Sequence, residues 1–491
     1  MPTFVVQGKS KDADLIARGV ESLGGRVIRS LSNLERLSGA AVLIVEVPEP
    51  LTHKELEALP GVRIVEGEFF HPFYSCGGQH PPEVPQPAQF PFYLPFVTPS
   101  DAVASLLQLL PPQVYKAAVP QPLLEAITAM PTAESGALQK FDVREMPFGA
   151  PGLRLGTPAT AEQFRRAGDL ARILETIRAP QAQRLTLGEN AVIAIVDSGI
   201  DPSKVPGANR LGGWSDTGAD PWVDDTGHGS MVAEIALAVA PKAQIISIKP
   251  GVSPTGAMSS MGTLSALDHL AGLAQELRTP IISNHSWGIF GVKNMQLPCS
   301  ILHTRAVRLL DEEGLVITSW AAGNNGAFGQ FPNLYCMNST KWSVSTGALD
   351  RLLRPHFYTS RGFGQCYPFQ PTVSTVTYGI LPWGAGYMDF GEQGAGTSSC
   401  APQTSGALAL MLSFYGPKPF RDLRAALRAG ANNAILGFPG LPYHPATGAG
   451  LLQVDAALAA VPRASSHPSW LAEATIPTSI PRLGEEPEMA A

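Results

Sequence analysis

The stretch that decides the fold is Ala191–Asp201, AVIAIVDSGID. It opens with a continuous apolar run rich in β-branched side chains, which is typical of a strand buried on both faces. Asp197 follows directly after this run, at the carboxyl end of the strand. In open parallel α/β sheets, that edge is where functional sites assemble. The stretch therefore predicts a buried strand with a carboxylate at the functional edge of its sheet.

Outward from this strand, predicted strands and helices alternate over residues 181–462. The further strands are Ala243–Ile248, Ile281–Asn284 and Leu315–Trp320, and the helices are His228–Val239, Thr263–Leu277, Ser300–Glu313 and Ser398–Leu412. Such alternation is typical of βαβ units. We therefore predict an α/β domain with a mostly parallel central sheet.

The rest of the chain divides into three segments. Residues 1–75 predict a small ferredoxin-like α+β domain of order βαββαβ, with strands Phe4–Val6, Arg26–Leu31, Ala41–Val47 and Val62–Phe69 and helices Asp12–Leu23 and Thr52–Leu59. Residues 76–180 include a Pro-rich stretch and predict an extended connector or insertion. Residues 463–491 are polar and predict a flexible tail.

Composition argues against several classes of function. The formal charge is −6, and no basic cluster is interleaved with aromatic residues, so we predict no nucleic-acid partner. No run of about 18 apolar residues occurs, so we predict no membrane span. The amino-terminal sequence does not have the pattern of a secretory signal, and we therefore expect a cytoplasmic protein by default.

Five cysteines are present, and none belongs to a CxxC pair. Their spacing therefore argues against a structural zinc site, and we predict no metal ligands. The odd count leaves at least one thiol outside any intrachain disulfide. A bridge from Cys336 to Cys366 or to Cys299 stays open at this stage.

His228 is the first candidate catalytic base, in DDTGHGSMVAE. A glycine on each side allows close backbone approach, and a helix is predicted to begin here. A histidine at a helix amino terminus is favoured in its neutral form, which is able to accept a proton. Two alternatives stay open: His228 has no catalytic role, or it is a metal ligand together with Asp224 and Asp225.

Ser398 and Asn324 are the other candidates. Ser398 lies in GAGTSSCAPQ, where a glycine-rich loop enters a helix whose backbone N–H groups would face a developing oxyanion. Asn324 lies in AAGNNG, after a predicted strand, and its amide could donate to the same oxyanion. Taken singly, Ser398 could be a helix cap and Asn324 a turn residue.

The order of these residues is more informative than any one of them. Asp197 is followed by His228 and then by Ser398, and Asn324 lies between the last two. Each of the four sits at a predicted strand end or helix start. Coincidence of four such signals in one order is a stronger indication than any single motif.

In this order the chain resembles the subtilisin family of serine proteases. The segments that carry the resemblance are VIAIVDSGID, GHGSMVAEIALAVAPKAQI, ISNHSWG, AAGNNG, FYTSRG, GTSSCAPQTSGALAL and GAGLLQVDAAL. The resemblance implies a three-layer subtilisin-like fold and a serine endopeptidase that acts through an acyl-enzyme. A calcium site is possible from the resemblance alone.

The resemblance also implies individual roles. Ser398 would be the nucleophile, His228 the base, and Asp197 the group that orients His228. Asn324 would form the oxyanion hole with the Ser398 backbone N–H. The segment Ser286, Trp287 and Gly288 would pair with an extended protein or peptide substrate.

In the family, a domain like residues 1–75 is often a propeptide that assists folding and then inhibits. The resemblance therefore implies a self-processing zymogen, with its own amino-terminal domain as an intramolecular inhibitor and a cut within Phe69–Gly78. The alternatives are a permanent docking domain, and a catalytically silent or permanently inhibited protein that binds or builds structure.

The chain departs from the family pattern near the site. Ser230 and Met231 follow His228 where Thr and a second His are usual, and Ser399 and Cys400 follow the nucleophile where Met and Ala are common. If Cys400 is accessible, a mercurial should inhibit. A further expectation is an apolar substrate preference, based on three aromatic residues near the expected cleft: Trp287, Phe290 and Trp320.

Overall fold

The computed structural model describes most of the two predicted domains. The described residues are 2–67, 70–71, 166–251, 258–288, 299–324, 334, 336–350, 353–356, 358–377, 396–436, 442–461 and 483. Residues 76–165 of the predicted connector, and Phe290, lie outside this set. Within it, no helix is both long and apolar enough to cross a membrane.

The amino-terminal domain, residues 2–67, is an antiparallel sheet with helices. Its elements are β1 (Thr3–Lys9), α1 (Ala13–Ser22), β2 (Arg26–Ser30), α2 (Ser32–Ser38), β3 (Ala40–Glu46), α3 (His53–Glu57) and β4 (Val62–Gly67). The strand order is β2-β3-β1-β4. All four predicted strands are present, and the predicted capping box of α3 forms between Thr52 and Glu55.

Helix α2 is the element of this domain that the sequence analysis did not predict. Leu31 and Leu34 bury their side chains completely. Gly39 ends the helix with a φ of 69°, a left-handed conformation that glycine adopts without steric cost. The helix has only 7 residues, so its apolar spacing covers too few turns to be distinguished from the flanking strands.

A nine-stranded sheet organises residues 166–461, which we call the α/β domain. Its strands are β6 (Val192–Val196), β7 (Arg210–Ser215), β8 (Gln244–Lys249), β10 (Ile281–His285), β11 (Val316–Ala321), β12 (Ser343–Leu349), β13 (Val373–Val376), β14 (Ala431–Asn432) and β15 (Leu451–Leu452). The order is β14-β15-β13-β12-β11-β10-β6-β8-β7, and only β14 runs antiparallel to its neighbour. The predicted, mostly parallel sheet is confirmed.

Helices cover both faces of the sheet. They are α4 (Arg166–Thr176), α5 (Ala179–Gln183), α6 (His228–Val239), α7 (Ser260–Leu277), α8 (Leu302–Glu312), α9 (Ala401–Tyr415), α10 (Phe420–Gly430) and α11 (Val454–Ala460). One apolar core joins the sheet to α4, α5, α6, α9, α10 and α11. The other joins it to α7 and α8. The predicted three-layer architecture is therefore confirmed.

The amino-terminal domain packs on α7 and α8. Leu31 and Leu34 belong to the same apolar cluster as the buried side chains of those helices. Asp268 of α7 accepts a hydrogen bond from the Leu34 backbone N–H at 2.7 Å, so it caps α2. Glu66 of β4 accepts one from the Leu302 backbone N–H at 3.0 Å, at the start of α8. Each domain thus supplies a carboxylate to a helix of the other.

Two further contacts tie the domains together. Arg29 of β2 forms an ion pair with Asp216 at 2.5 Å and lies over the Trp214 ring at 5.5 Å. Strand β5 (Phe70–His71) pairs antiparallel with β9 (Met258–Ser259), directly before α7. The chain that leaves the amino-terminal domain is therefore held on the α/β domain by backbone hydrogen bonds.

Two observations bear on the predicted boundaries. Ile173, Ile177 and Ala179, which the prediction placed in the connector, are buried in the core of the α/β domain. Leu483, in the predicted tail, is only 3% exposed and belongs to the α7–α8 core, while the other residues of 463–491 lie outside the described set, so the flexible tail stays a prediction.

The cysteines also pair differently from the expectation. Cys299 and Cys366 form a disulfide. Cys336 and Cys400 are buried and belong to no disulfide. Neither pairing considered for Cys336 is therefore present, because Cys299 and Cys366 are bonded to each other.

Candidate active site

The Asp197–His228 pair is the centre of the site. Asp197 directly follows β6, and His228 is the first residue of α6, so the sheet edge and the helix start present the two side chains to each other. The His228 Nδ1 lies 2.7 Å from the Asp197 Oδ1. Both residues are buried. The bond fixes the ring orientation and directs Nε2, the other ring nitrogen, away from the carboxylate.

Glycines make this approach possible, as the sequence analysis predicted. A Cβ added to Gly229 would lie 2.1 Å from the Gly199 carbonyl oxygen. Gly227 adopts a φ of 78° at the helix cap. At Gly229 and Gly199 the loop after β6 and the start of α6 therefore approach backbone to backbone, which allows the His228 ring to lie beside Asp197.

Ser398 lies in a 3-10 turn, Thr397–Ser399, that leads into α9. The helix proper begins at Ala401, three residues later than predicted. The turn packs against α6, the helix that begins at His228. The Ser398 hydroxyl donates to the Ser286 carbonyl oxygen at 2.9 Å, and the Ser286 hydroxyl donates to the Ser398 carbonyl oxygen at the same distance. This reciprocal pair fixes the turn on the segment that follows β10.

Asn324 follows β11 and reaches the same turn. Its side-chain oxygen accepts hydrogen bonds from the Thr397 backbone N–H at 3.0 Å and from the Thr397 hydroxyl at 2.9 Å. Because the oxygen is engaged there, the amide nitrogen lies on the opposite branch of the side chain. Asn324 is thus oriented next to Ser398, with its donor end directed away from Thr397.

The segment Ser286, Trp287 and Gly288 continues from β10 at the same edge of the sheet. The Trp287 indole is fully buried and donates to the Val196 carbonyl oxygen at 2.9 Å. Trp320 is also fully buried and packs edge-on against it. Both rings belong to the core, so neither supports the expected apolar substrate preference. Phe290, the third residue behind that expectation, lies outside the described residues, and the preference stays a prediction.

Cys400 is fully buried although it is two residues from Ser398. Its thiol lies 3.6 Å from the Thr375 carbonyl oxygen, and burial raises the pKa of the thiol to about 12. The accessibility required for inhibition by a mercurial is absent. We therefore expect no rapid modification of this thiol.

The described residues contain no group of three or more His, Cys, Asp or Glu side chains that could hold a metal ion. Asp224 and Asp225, the ligands considered beside His228, have other contacts. Asp224 accepts hydrogen bonds from its own loop, and Asp225 forms an ion pair with Lys249 at 2.7 Å. The calcium site that the resemblance allows stays a prediction, since calcium can also bind backbone and amide oxygens.

Three contributors to the site were missed from the sequence. Asp224, Thr397 and Asn284 all bond to the candidate residues or to their immediate neighbours. Asp224 was considered only as a metal ligand. Its position four residues before His228 matches no helix-capping pattern, because the cap position of α6 is Gly227, so no local signal could have indicated its contacts.

Comparison with known proteins extends this picture. The subtilase family matches residues 188–448. Subtilisin from Bacillus pumilus is 28% identical over 278 residues, covering 55% of this chain and 91% of that protein. Mycosin-4 from Mycobacterium tuberculosis is 26% identical over 367 residues, covering 66% of this chain and 77% of that protein.

A solved structure shares the fold. Fervidolysin from Fervidobacterium pennivorans superposes with a TM-score of 0.55 at 18% identity, over 93% of this chain and 61% of that one. At this identity the likeness concerns the fold alone, and the chain spans about three fifths of the length of fervidolysin. Together, the family match over half of the chain and the arrangement of the sheet edge lead to one conclusion: this chain belongs to the subtilase family of serine peptidases.

Proposed function

We propose that the chain is a serine endopeptidase in which Ser398, His228 and Asp197 act together. The observation that carries the proposal is the buried 2.7 Å hydrogen bond between Asp197 and His228, beside the turn that bears Ser398. The Ser398 oxygen attacks the scissile carbonyl carbon while its proton passes to His228 Nε2. The C–N bond then breaks, and His228 gives that proton to the leaving amine. Water hydrolyses the acyl-enzyme by the same proton route in reverse.

The Ser398 hydroxyl has only one proton, and here that proton is directed at the Ser286 carbonyl oxygen. Proton transfer to His228 therefore requires the hydroxyl to change its acceptor, by rotation about the Cβ–Oγ or the Cα–Cβ bond. A substrate strand that pairs with Ser286, Trp287 and Gly288 would offer an N–H to the same carbonyl oxygen. Substrate binding and release of the hydroxyl toward His228 are thus compatible steps.

The Asn324 amide nitrogen and the Ser398 backbone N–H would stabilise the oxyanion. Support comes from the two hydrogen bonds in which Thr397 donates to the Asn324 side-chain oxygen. They fix the orientation of the amide group and direct its nitrogen, the donor end, away from Thr397. A preorganised donor of this kind costs no reorganisation during the reaction.

Digestion of an unfolded protein substrate tests the proposal. The wild type should digest it, and Ser398→Ala should not. Ser399→Ala is the matched control, because it removes a hydroxyl from the same turn, one that donates to the Gly396 carbonyl oxygen at 2.9 Å. Equal digestion by wild type and Ser398→Ala would reject the proposal, and equal loss in both serine variants would point to damage of the turn.

We also infer that the protein is a self-processing zymogen inhibited by residues 1–75. The reciprocal helix caps of Asp268 and Glu66 support stable docking of this domain. The pairing of β5 with β9 holds Phe70 and His71, which lie within the range of the expected cut, on the α/β domain. We expect the cut within residues 69–78, on the carboxyl-terminal side of β5.

Intact mass measurement tests the zymogen proposal. The wild type should convert to two fragments with a junction between residues 72 and 78, while Ser398→Ala should stay full length. Mixing the two proteins separates cutting in cis from cutting in trans. If both proteins stay full length while the wild type digests substrate, residues 1–75 are a permanent docking domain.

A further inference from the structure

We propose that Asp224 is a positioning residue that holds the start of α6, and with it His228, in register with Asp197. The inference rests on the proposed function of the Asp197–His228 pair. Asp224 lies in the loop between β7 and α6, and its carboxylate connects the two backbone segments that carry the pair.

One set of contacts joins Asp224 to the start of α6. Its Oδ1 accepts from the Gly227 backbone N–H at 2.9 Å and from that of Thr226 at 3.1 Å. Its Oδ2 accepts from the Ser230 backbone N–H at 2.8 Å and from the Ser230 hydroxyl at 2.6 Å. These donors lie on both sides of His228 in the sequence. The carboxylate therefore fixes the backbone that aims the imidazole.

A second set joins Asp224 to the loop after β6. The Ser198 hydroxyl donates to the Asp224 Oδ1 at 2.6 Å, while the Ser198 backbone N–H donates to the Asp197 Oδ1 at 2.8 Å. The Gly229 backbone N–H in turn donates to the Ser198 hydroxyl oxygen at 3.1 Å. Ser198 thus links the carboxylate of Asp197 with that of Asp224 through one residue.

The two sets close a ring of hydrogen bonds. It runs from Asp197 through Ser198 and Asp224 to the start of α6, and returns through His228 to Asp197. The close contact of Gly229 with Gly199 brings the two segments together, and the hydrogen bonds of the ring add polar links between them. Shifts in this ring would change the distance between the two catalytic side chains.

The ring requires a charged carboxylate at position 224. Burial by itself would raise the pKa of Asp224, but hydrogen bonds from Ser198, Ser230 and Thr226 outweigh it and lower the pKa. All five donors point at the two carboxylate oxygens. An asparagine in this place would turn an NH₂ group toward donors on one side, so part of the ring must open.

The test is Asp224→Asn, compared with Asp220→Asn as the matched control. Asp220 lies in the same loop and is exposed, and its carboxylate caps only the Trp222 backbone N–H at 2.9 Å. A displacement of about 1 Å in a catalytic group can cost on the order of 10²-fold in rate. We expect kcat to fall about 10- to 100-fold in Asp224→Asn with KM little changed, and neither to change in Asp220→Asn.

A second readout does not depend on turnover. The proton between His228 Nδ1 and Asp197 should give a far-downfield proton NMR signal, which should shift or broaden in Asp224→Asn but not in Asp220→Asn. Ser198→Ala keeps the Asp224 carboxylate but removes the hydroxyl that joins it to the loop after β6 and that accepts from Thr226 and Gly229, so it serves if Asp224→Asn does not fold. It should reproduce the loss in kcat in part.

The outcomes separate this inference from the proposed function. If the wild type digests substrate and Asp224→Asn has the same kcat and the same downfield signal, Asp224 is not a positioning residue. A loss of kcat that matches only a lower fraction of folded protein, with the signal unchanged, also overturns the inference. A wild type without activity rejects the proposed function instead.

Discussion

Raising the pH from 6 to 8 should loosen the contact between the amino-terminal domain and the α/β domain. Glu66 of β4 carries this effect, because burial at the interface raises its pKa from 4.5 to about 7. The Leu302 backbone N–H and the positive charge of Arg305 act in the opposite direction but do not cancel the burial. The docked state therefore holds a proton that the undocked domain, with an ordinary carboxyl group, releases.

The sign and size follow from proton linkage. A pKa raised on docking adds stability at low pH, and that stability is lost as the pH rises through about 7. With pKa values of about 7 and 4.5, the docking constant should fall by up to about ten-fold between pH 6 and pH 8, or about 1.4 kcal/mol. The Glu66 residue is only partly buried, so solvent screens its charge. Screening should reduce the change in the docking constant to roughly three- to ten-fold.

Glu66→Gln in the Ser398→Ala chain isolates the effect, because glutamine stays neutral and the chain should remain uncut. In the Glu66→Gln variant, we expect a docking constant that hardly depends on pH. At pH 8 this variant should dock more tightly than the chain that keeps Glu66. The assay is hydrogen exchange of peptides covering α2 and the start of α8, normalised to intrinsic rates at each pH. Glu57→Gln, on the exposed side of α3, is the control.

A weaker interface in Glu66→Gln at pH 8 would refute this reasoning. It would mean that the attraction of the charged carboxylate to Arg305 and to the helix start exceeds the cost of burial. The same conclusion would follow if the glutamate form docked more tightly at pH 8 than at pH 6.

Three more outcomes are expected. Asn324→Ala should lower kcat by about 10²–10³, a range that comes from the oxyanion donor of another subtilisin-family enzyme, and a kcat within about two-fold of wild type would remove Asn324 from the mechanism. Gly229→Ala should abolish most activity, because its Cβ would meet a backbone oxygen at 2.1 Å, while Gly207→Ala, with nothing within 4 Å, should be silent in the same peptidase assay. Replacing Cys299 and Cys366 with alanine opens a loop of 67 residues and should lower the free energy of unfolding by about 4 kcal/mol, as measured by denaturant titration; no change would show that the bridge is not formed.

Much of the α/β domain follows from local pattern. The run that ends at Val196 is apolar on both faces, so its burial in a parallel sheet could be predicted, and so could the position of Asp197 at the strand end. The glycines beside His228 predicted a close backbone approach, and the structure contains that approach at Gly229. These features depend on residues that are close in sequence, and they could therefore be predicted from local sequence patterns.

Features that depend on contacts between residues far apart in sequence could not be predicted. Trp287 and Trp320 lie on neighbouring strands, and only the tertiary packing decides that both rings face the core. The hydrogen bond from Ser398 to Ser286 joins residues 112 positions apart. The pairing of Cys299 with Cys366 likewise depends on which side chains the fold brings together.

The most direct test of the central claim is covalent labelling of Ser398 by a fluorophosphonate, located by peptide mass spectrometry. It should be run on the full chain and again after the amino-terminal domain has been cut off, by the protein itself or by an added protease. We predict an adduct on Ser398 in the wild type, faster after the cut, and none in His228→Ala. A folded, cut protein that carries no adduct on Ser398, or one labelled equally fast without His228, would contradict a serine peptidase built on this pair.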